Sequence, residues 1–276
     1  MSAGRLVVCP TPIGNLEDVT LRVLSALRDA DVIACEDTRH SKRLLDRYGV
    51  TAPLVSYHEH NERSRAHDLV ARMQAGQVVA LVSDAGMPLV SDPGAVLVSA
   101  CVAAGLAVEV LPGPSAVLVA LAVSGLPSEH WRFTGFLPRK AGELRTLLLG
   151  AAGETLVAFE SPRRIGASLT VLAELAPDRP VAVCRELTKL YEEVVRGTAA
   201  DLADRYRTEE ARGEIVLVVG PAPAPEEGEG PDLGPALEAL RDLVTAGAKP
   251  RPAAKVVASL TGTSANALYR ALTERG

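Results

Sequence analysis

Short apolar runs alternate with helix-length segments through the first 125 residues, and few architectures accept that cadence. The runs fall at 6–8, 31–34, 53–56, 78–82 and 108–111; helical segments fill 19–29, 39–48, 62–75 and 95–104. Parallel strands need a crossover long enough for a helix. Right-handed crossovers then place helices on both faces, so the pattern predicts an α/β domain with a mainly parallel sheet. Several strand ends open into links rich in Gly, Pro and Asp, such as CPTPIGNLED, SDAGMPLVSDPG and LPGPSA. In an open parallel sheet such carboxyl-end loops are where ligands bind.

A boundary is expected near Gly125-Leu126-Pro127-Ser128. Beyond it, strands at 132–136, 155–159, 181–184, 193–196 and 214–219 and helices at 143–149, 164–175 and 199–206 predict a second α/β domain over 126–220. Its sheet should be mixed, because the link from Cys184 to Glu193 is too short for a helical crossover. Residues 221–234 read as a flexible Pro/Gly/Glu linker, and 235–276 as a small helical segment with helices at 235–245, 251–260 and 264–272. With 47% hydrophobic but only 3% aromatic residues, the cores must be built mainly from Ala, Val and Leu.

The four cysteines (Cys9, Cys35, Cys101 and Cys184) form no CxxC or Cys/His cluster, so buried free thiols are expected, with no zinc site or disulfide framework. The opening MSAGRLVVCPTP lacks a long apolar segment, and the expectation is a soluble, cytoplasmic protein. The net charge of −5 argues weakly against a nucleic-acid partner but hides an asymmetry. Residues 221–244 carry Glu226, Glu227, Glu229, Asp232, Glu238 and Asp242 against Arg241; residues 245–276 carry Lys249, Arg251, Lys255, Arg270 and Arg275 against Glu274. That basic tail is compatible with RNA contact or with an ordinary solvated face.

No GxGxxG fingerprint, GxxxxGK[ST] loop, GxSxG elbow or HExxH motif is present. What remains is three glycine-proline loops, Pro10–Asn15, Ser83–Pro88 with Asp92-Pro93-Gly94, and Pro112–Ala116, all expected on one sheet edge. Stiffened by proline and opened by glycine, they can present backbone groups to a polar ligand. Glu36-Asp37-Thr38-Arg39-His40 follows the second strand, where Asp37 or Thr38 can cap a helix carrying Lys42 and Arg43. His58 and His60 are weak metal candidates at i,i+2, and no metal is expected. In the second half, 159–164 and 184–189 end strands with charge, either for a ligand or for structural ion pairs.

TPIGNLED, ACEDTRH, LVSDAGMPLVSDPG, LPGPSA, GFLPRK, FESPRR, RELTK and Gly213-Glu214 together resemble the tetrapyrrole methylase superfamily, in particular its ribosomal RNA small-subunit methyltransferase I branch. The resemblance runs from Leu6 to about Gly220 and touches Ser264–Tyr269. Ile13-Gly14-Asn15 stands where tetrapyrrole-modifying relatives carry a GxGD-like loop, which favours the RNA branch; Met87 replaces that branch's usual threonine. The resemblance implies two α/β domains, a homodimer, and S-adenosylmethionine in the cleft. Cofactor contacts would come from Pro10, Gly14, Asn15, Ser83, Asp84, Ala85, Gly86, Gly113, Ser115, Ala116, Phe159, Glu160, Leu187 and Thr188. The implied reaction methylates the ribose 2′-hydroxyl of a cytidine in the decoding region of 16S ribosomal RNA. Alternatives are a corrin or porphyrin precursor as acceptor, or a ribosome-associated RNA-binding module without turnover. Glu36, Asp37, His40, His60 and Lys189 are candidates to take the hydroxyl proton. Arg39, Arg139, Lys140, Arg163 and Arg164 are candidates to hold phosphates.

Overall fold

The computed structural model describes residues 4–223, 233–261 and 263–273. The chain divides into two compact units, Met1–Ala222 and Pro223–Gly276. The first begins with β1 (Arg5–Cys9), α1 (Leu21–Asp29), β2 (Val32–Cys35), α2 (Thr38–Arg47) and β3 (Leu54–Ser56). It continues with α3 (Glu62–Gln74), β4 (Val78–Val82), α4 (Ala95–Ala103), β5 (Ala107–Val110) and α5 (Ala116–Ser124). The five strands form one wholly parallel sheet in the order β3-β2-β4-β1-β5. Alternation along the strands sorts the core into two layers. Leu6, Val8, Val32, Ala34, Val79 and Leu81 face Leu69, Met73 and Leu97 of α3 and α4. Val7, Cys9, Ile33, Cys35, Ala80 and Val82 face Val23, Leu27 and Leu45 of α1 and α2.

The second lobe holds β6 (Trp131–Phe136), α6 (Ala141–Gly150), β7 (Thr155–Glu160), α7 (Ile165–Leu175) and β8 (Pro180–Arg185). It ends with β9 (Glu193–Thr198), α8 (Ala199–Thr208) and β10 (Ile215–Val219). Its sheet, β6-β7-β10-β8-β9, is mixed: β6 and β7 run parallel, whereas β7–β10, β10–β8 and the β8–β9 hairpin are antiparallel. Helices α6, α7 and α8 cover one face. The other face is covered by α5, whose Val117, Ala120 and Leu121 pack on Val157, Ala182, Cys184, Val216 and Val218. Sequence periodicity did not anticipate α5, because AVLVALAVS is apolar all round and carries no helical stripe. The expected boundary at Gly125 is this helix's left-handed C-cap, φ 71°, but the helix itself buries its apolar surface against the second sheet.

All four cysteines are buried free thiols, and burial pushes Cys9 up to about 12 and Cys101 and Cys184 up to about 11. The second unit contains α9 (Leu233–Thr245), α10 (Pro250–Thr261) and α11 (Ala265–Thr273). They close a core of their own around Ala236, Leu240, Ala254, Val257 and Leu268, with Arg251 stacked 5.1 Å over Tyr269. Val256 and Leu260 lie outside that core and are exposed. The expected linker's Glu226, Glu227, Glu229 and Asp232, and Glu274 and Arg275 of the tail, lie outside the described residues. Among the described residues no helix is long and apolar enough to cross a membrane.

Candidate active site

Because the first sheet is wholly parallel, the loops after β1, β2, β4 and β5 leave one edge together, and hydrogen bonds fix two of them to each other. The amides of Thr11 and Gly86 exchange bonds with each other's carbonyls, at 2.9 and 3.0 Å. Thr11 Oγ1 donates to the Ser83 carbonyl (2.9 Å) and Ser83 Oγ donates to that of Gly86 (3.0 Å). Gly86 sits at φ 80°, a conformation open to glycine at little cost. Among the described residues only Leu89, Ser91, Glu186 and Thr188 are non-glycines with left-handed φ, and all four lie in the 83–94 and 186–189 loops. Each such residue costs about 1–3 kcal/mol and persists only where its surroundings hold it, so these two loops are held in shape by their packing.

The loops enclose two adjoining cavities. The larger, about 450 Å³, is lined by Ala85, Gly86, Asp92, Ser115, Ala116, Phe159, Glu160 and Leu187. The second, about 310 Å³, is lined by Thr11, Gly14, His40, Arg43, Ser83, Asp84 and Lys189. Ile13, Ala85 and Glu214 belong to both and form their common wall. The sequence-derived cofactor set is thus largely gathered, though in several roles. Pro10 and Gly113 line neither cavity; they pack on one another behind the wall, with Pro10 Cβ 2.8 Å from where a Gly113 Cβ would stand. The Asn15 amide donates to Thr188 Oγ1 at 3.2 Å, tying a first-lobe loop to a second-lobe one. Gly14 lies directly under Lys189.

Ion pairing separates groups that look alike in sequence. Lys189 Nζ lies 2.8 Å from Glu186 and 3.0 Å from Glu214. Burial works against its charge, but these two carboxylates outweigh it and hold its pKa above the usual lysine value. That pairing favours the charged form of Lys189 over a neutral base. Asp37 is the N-cap of α2, accepting from the Arg39 amide at 2.8 Å and pairing with its guanidinium, which holds its carboxyl below the usual range. Its carboxylate is spent on the cap. Glu36 is shifted upward by burial and by Asp84, but it lines neither cavity. His60 lines neither cavity and sits edge-on to His58, ring centroids 5.9 Å apart. Among the described residues no three His, Cys, Asp or Glu side chains are grouped to hold a metal.

Arg164 departs from its expected phosphate-binding role. It donates to the carbonyls of Leu137 and Pro138 (3.0 and 2.8 Å) and pairs with the buried Glu160 at 3.3 Å. Glu160 in turn accepts from the Ser161 amide and the Ser168 hydroxyl, so its carboxylate serves the fold although the residue lines the cavity. Lys140 pairs with Glu143, and Arg39 with Asp37. Arg139 and Arg163 are exposed and have no ion pair among the described residues. Thr11, Arg43 and Asp92 were visible in the sequence only as members of their loops and helix, with no role of their own assigned. Asp92 has no hydrogen bond or ion pair among the described residues; burial, then the charges of Glu36 and Asp84, push its pKa up to about 6.

Two α/β lobes closing strained loops over a shared crevice define a two-lobed α/β enzyme with room for a small cofactor beside its acceptor. Residues 5–203 match the family described as Tetrapyrrole (Corrin/Porphyrin) Methylases. A Mesorhizobium japonicum protein called Ribosomal RNA small subunit methyltransferase I is 48% identical over 98% of this chain and 91% of its own length. Its namesake from Escherichia coli O157:H7 is 44% identical over 100% of this chain and 97% of its own. The solved structure of the methyltransferase CobJ superposes with a TM-score of 0.61 at 25% identity, covering 79% of this chain and 95% of that one. The chain belongs to the tetrapyrrole methylase family, within its ribosomal RNA small subunit methyltransferase I group, and is an S-adenosylmethionine-dependent methyltransferase.

Proposed function

We propose that the enzyme methylates the ribose 2′-hydroxyl of a cytidine in the decoding region of 16S ribosomal RNA, working as a cytoplasmic homodimer. The observation that carries the reading is the pair of adjoining cavities sharing Ile13, Ala85 and Glu214, since methyl transfer needs donor and acceptor to meet in line where two sites join. The RNA acceptor is supported by the names of relatives that match along nearly the whole chain.

The larger cavity fits S-adenosylmethionine. Its volume lies within the range of about 300–1,000 Å³ usual for small-molecule sites. The carboxylate of Asp92, held without a cationic partner among the described residues, complements a positively charged ligand. When bound, this cofactor supplies a sulfonium-activated methyl group. Ala85, Gly86, Ser115 and Ala116 would hold it, while Phe159, Leu187 and Val216 wall it from water. His40 is the one expected catalytic group that both lines the second cavity and is free of an ion pair among the described residues. An imidazole can take a hydroxyl proton near neutral pH, and His40 has that role here. Lys189, ion-paired with Glu186 and Glu214, is placed to donate a hydrogen bond instead of accepting a proton.

Labelled S-adenosylmethionine offered separately to 30S particles, naked ribosomal RNA and a precorrin tests the reading. Incorporation into RNA or particles is expected. Incorporation into the tetrapyrrole alone would overturn it, and cofactor binding with no incorporation would point to the non-catalytic module.

A further inference from the structure

Helix α2 carries four cations on its exposed surface, and three of them are engaged. Arg39 pairs with Asp37 at 3.2 Å, Lys42 with Asp46 at 2.7 Å, and Arg47 with Glu17 at 3.9 Å. Arg43 has no hydrogen bond or ion pair among the described residues, yet it lines the second cavity. His40, three residues earlier and so on the same helix face, lines it too. Between them Ser41 is 6% exposed and also lines the cavity, and its buried Oγ has no hydrogen-bond partner among the described residues. Of the other charges lining that cavity, Lys189 and Glu214 hold each other, and Asp84 is an anion whose carboxylate accepts from the Asp37 amide at 3.2 Å. The cavity therefore presents one uncommitted cation, a guanidinium, beside an imidazole and a buried hydroxyl.

Polynucleotide chemistry says what that cation meets. In an internal nucleotide the carbon bearing the 2′-hydroxyl adjoins the carbon whose oxygen carries the next phosphodiester. A ribose seated so that its 2′-hydroxyl reaches the wall shared by the two cavities thus brings that phosphodiester into the cavity of Arg43. We propose that Arg43 grips the 3′-phosphodiester of the nucleotide being methylated, an inference that rests on the RNA reading above. A guanidinium holds two phosphate oxygens at once, which fixes orientation as well as position. The enzyme then selects an internal nucleotide of a chain, and a free nucleoside or a 3′-terminal ribose is a poor acceptor.

The test compares wild type, Arg43→Ala, Arg43→Lys and the control Arg47→Ala on 30S particles, with the salt dependence of particle binding and calorimetric affinity for S-adenosylhomocysteine measured on each. Arg43→Ala should lose about 10- to 100-fold in kcat/KM, as expected for a charge-assisted hydrogen-bonded contact. Its log–log salt slope should be shallower by about 0.7–0.9, one phosphate contact. Affinity for S-adenosylhomocysteine should not change. Arg43→Lys should recover the salt slope but only part of the rate, and Arg47→Ala should stay within about twofold of wild type. A folded Arg43→Ala protein with wild-type kcat/KM and slope would overturn the proposal; so would loss of S-adenosylhomocysteine affinity, which would assign the arginine to the cofactor. If wild type itself transfers no methyl group to RNA, the functional reading fails first, and that outcome is read from the wild-type arm alone.

Discussion

Gly14→Ala introduces a single methyl group where a first-lobe loop packs against the 186–189 loop of the second lobe. The new Cβ would stand 2.4 Å from Lys189 Cγ, 2.9 Å from Thr188 Oγ1 and 3.1 Å from the Leu187 carbonyl oxygen. Carbon atoms prefer separations of about 3.5–4.0 Å, so Lys189 would have to retreat by roughly 1 Å. It has little freedom to do so. Its ammonium is held by Glu186 and Glu214, its amide donates to the Glu186 carbonyl at 3.0 Å, and Thr188 beside it is left-handed at φ 65°. The displacement therefore passes to the whole 186–189 loop, whose Leu187 lines the larger cavity. Overpacking of this kind costs about 1–3 kcal/mol, and a 1 Å misplacement of a reacting group costs about 100-fold in rate. The assay is kcat/KM for methyl transfer, with thermal unfolding and S-adenosylhomocysteine affinity measured alongside. A fall of about 100-fold is expected, with Tm lower by no more than about 10 °C. Gly142→Ala in α6 is the control, since nothing lies within 4 Å of its new Cβ, and it should be neutral or slightly stabilising. A folded Gly14→Ala protein within threefold of wild type would refute the argument that this contact sets the cleft.

Arg179, 2% exposed, donates to the carbonyls of Gly220, Leu148, Ala151 and Glu154, so Arg179→Met should cost about 3–5 kcal/mol and lower Tm by about 10 °C; a shift under 3 °C would contradict this. Asp92, raised to about 6 by burial and by its acidic neighbours, contributes stability fully below about pH 4 and loses it as pH rises through 6. Asp92→Asn removes that loss, so chemical denaturation should find the variant more stable than wild type by on the order of 2 kcal/mol at pH 8, with the gain gone by pH 4; a pH-independent difference would count against it. Because α9, α10 and α11 close a core of their own, deletion from Gly234 onward should leave S-adenosylhomocysteine affinity unchanged. If the basic tail recognises RNA, the same deletion weakens 30S binding and flattens its salt slope; an unchanged slope removes that role.

Most of the fold was legible because strand periodicity is local: Leu6 and Val8 against Val7 and Cys9 is enough to sort residues between two faces. Helix α5 was not, since its partners Val157, Ala182 and Val216 come from strands 30 to 100 positions later along the chain. The cofactor loops were legible as glycine-proline punctuation after strands. Which of their residues face a cavity was not, because Pro10 and Gly113 meet only once the loops are folded together. Charge roles were the least legible. Arg163 and Arg164 are identical neighbours, but only the second turns inward to Glu160. The charge on Lys189 depends on Glu186 three residues before it and on Glu214 far beyond it. The lifted pKa of Asp92 comes from burial, then from Glu36 on the loop after β2 and Asp84 earlier in its own loop, none of which its local sequence displays.

Mass spectrometry of nuclease fragments from 16S ribosomal RNA, after 30S particles lacking the modification are incubated with the enzyme and S-adenosylmethionine, tests the central claim most directly. One added methyl group on the ribose of a decoding-region cytidine, with the phosphodiester that follows it made resistant to alkaline cleavage, is the predicted result. A methyl group on a base, on a nucleotide outside that region, or on no nucleotide at all would contradict it.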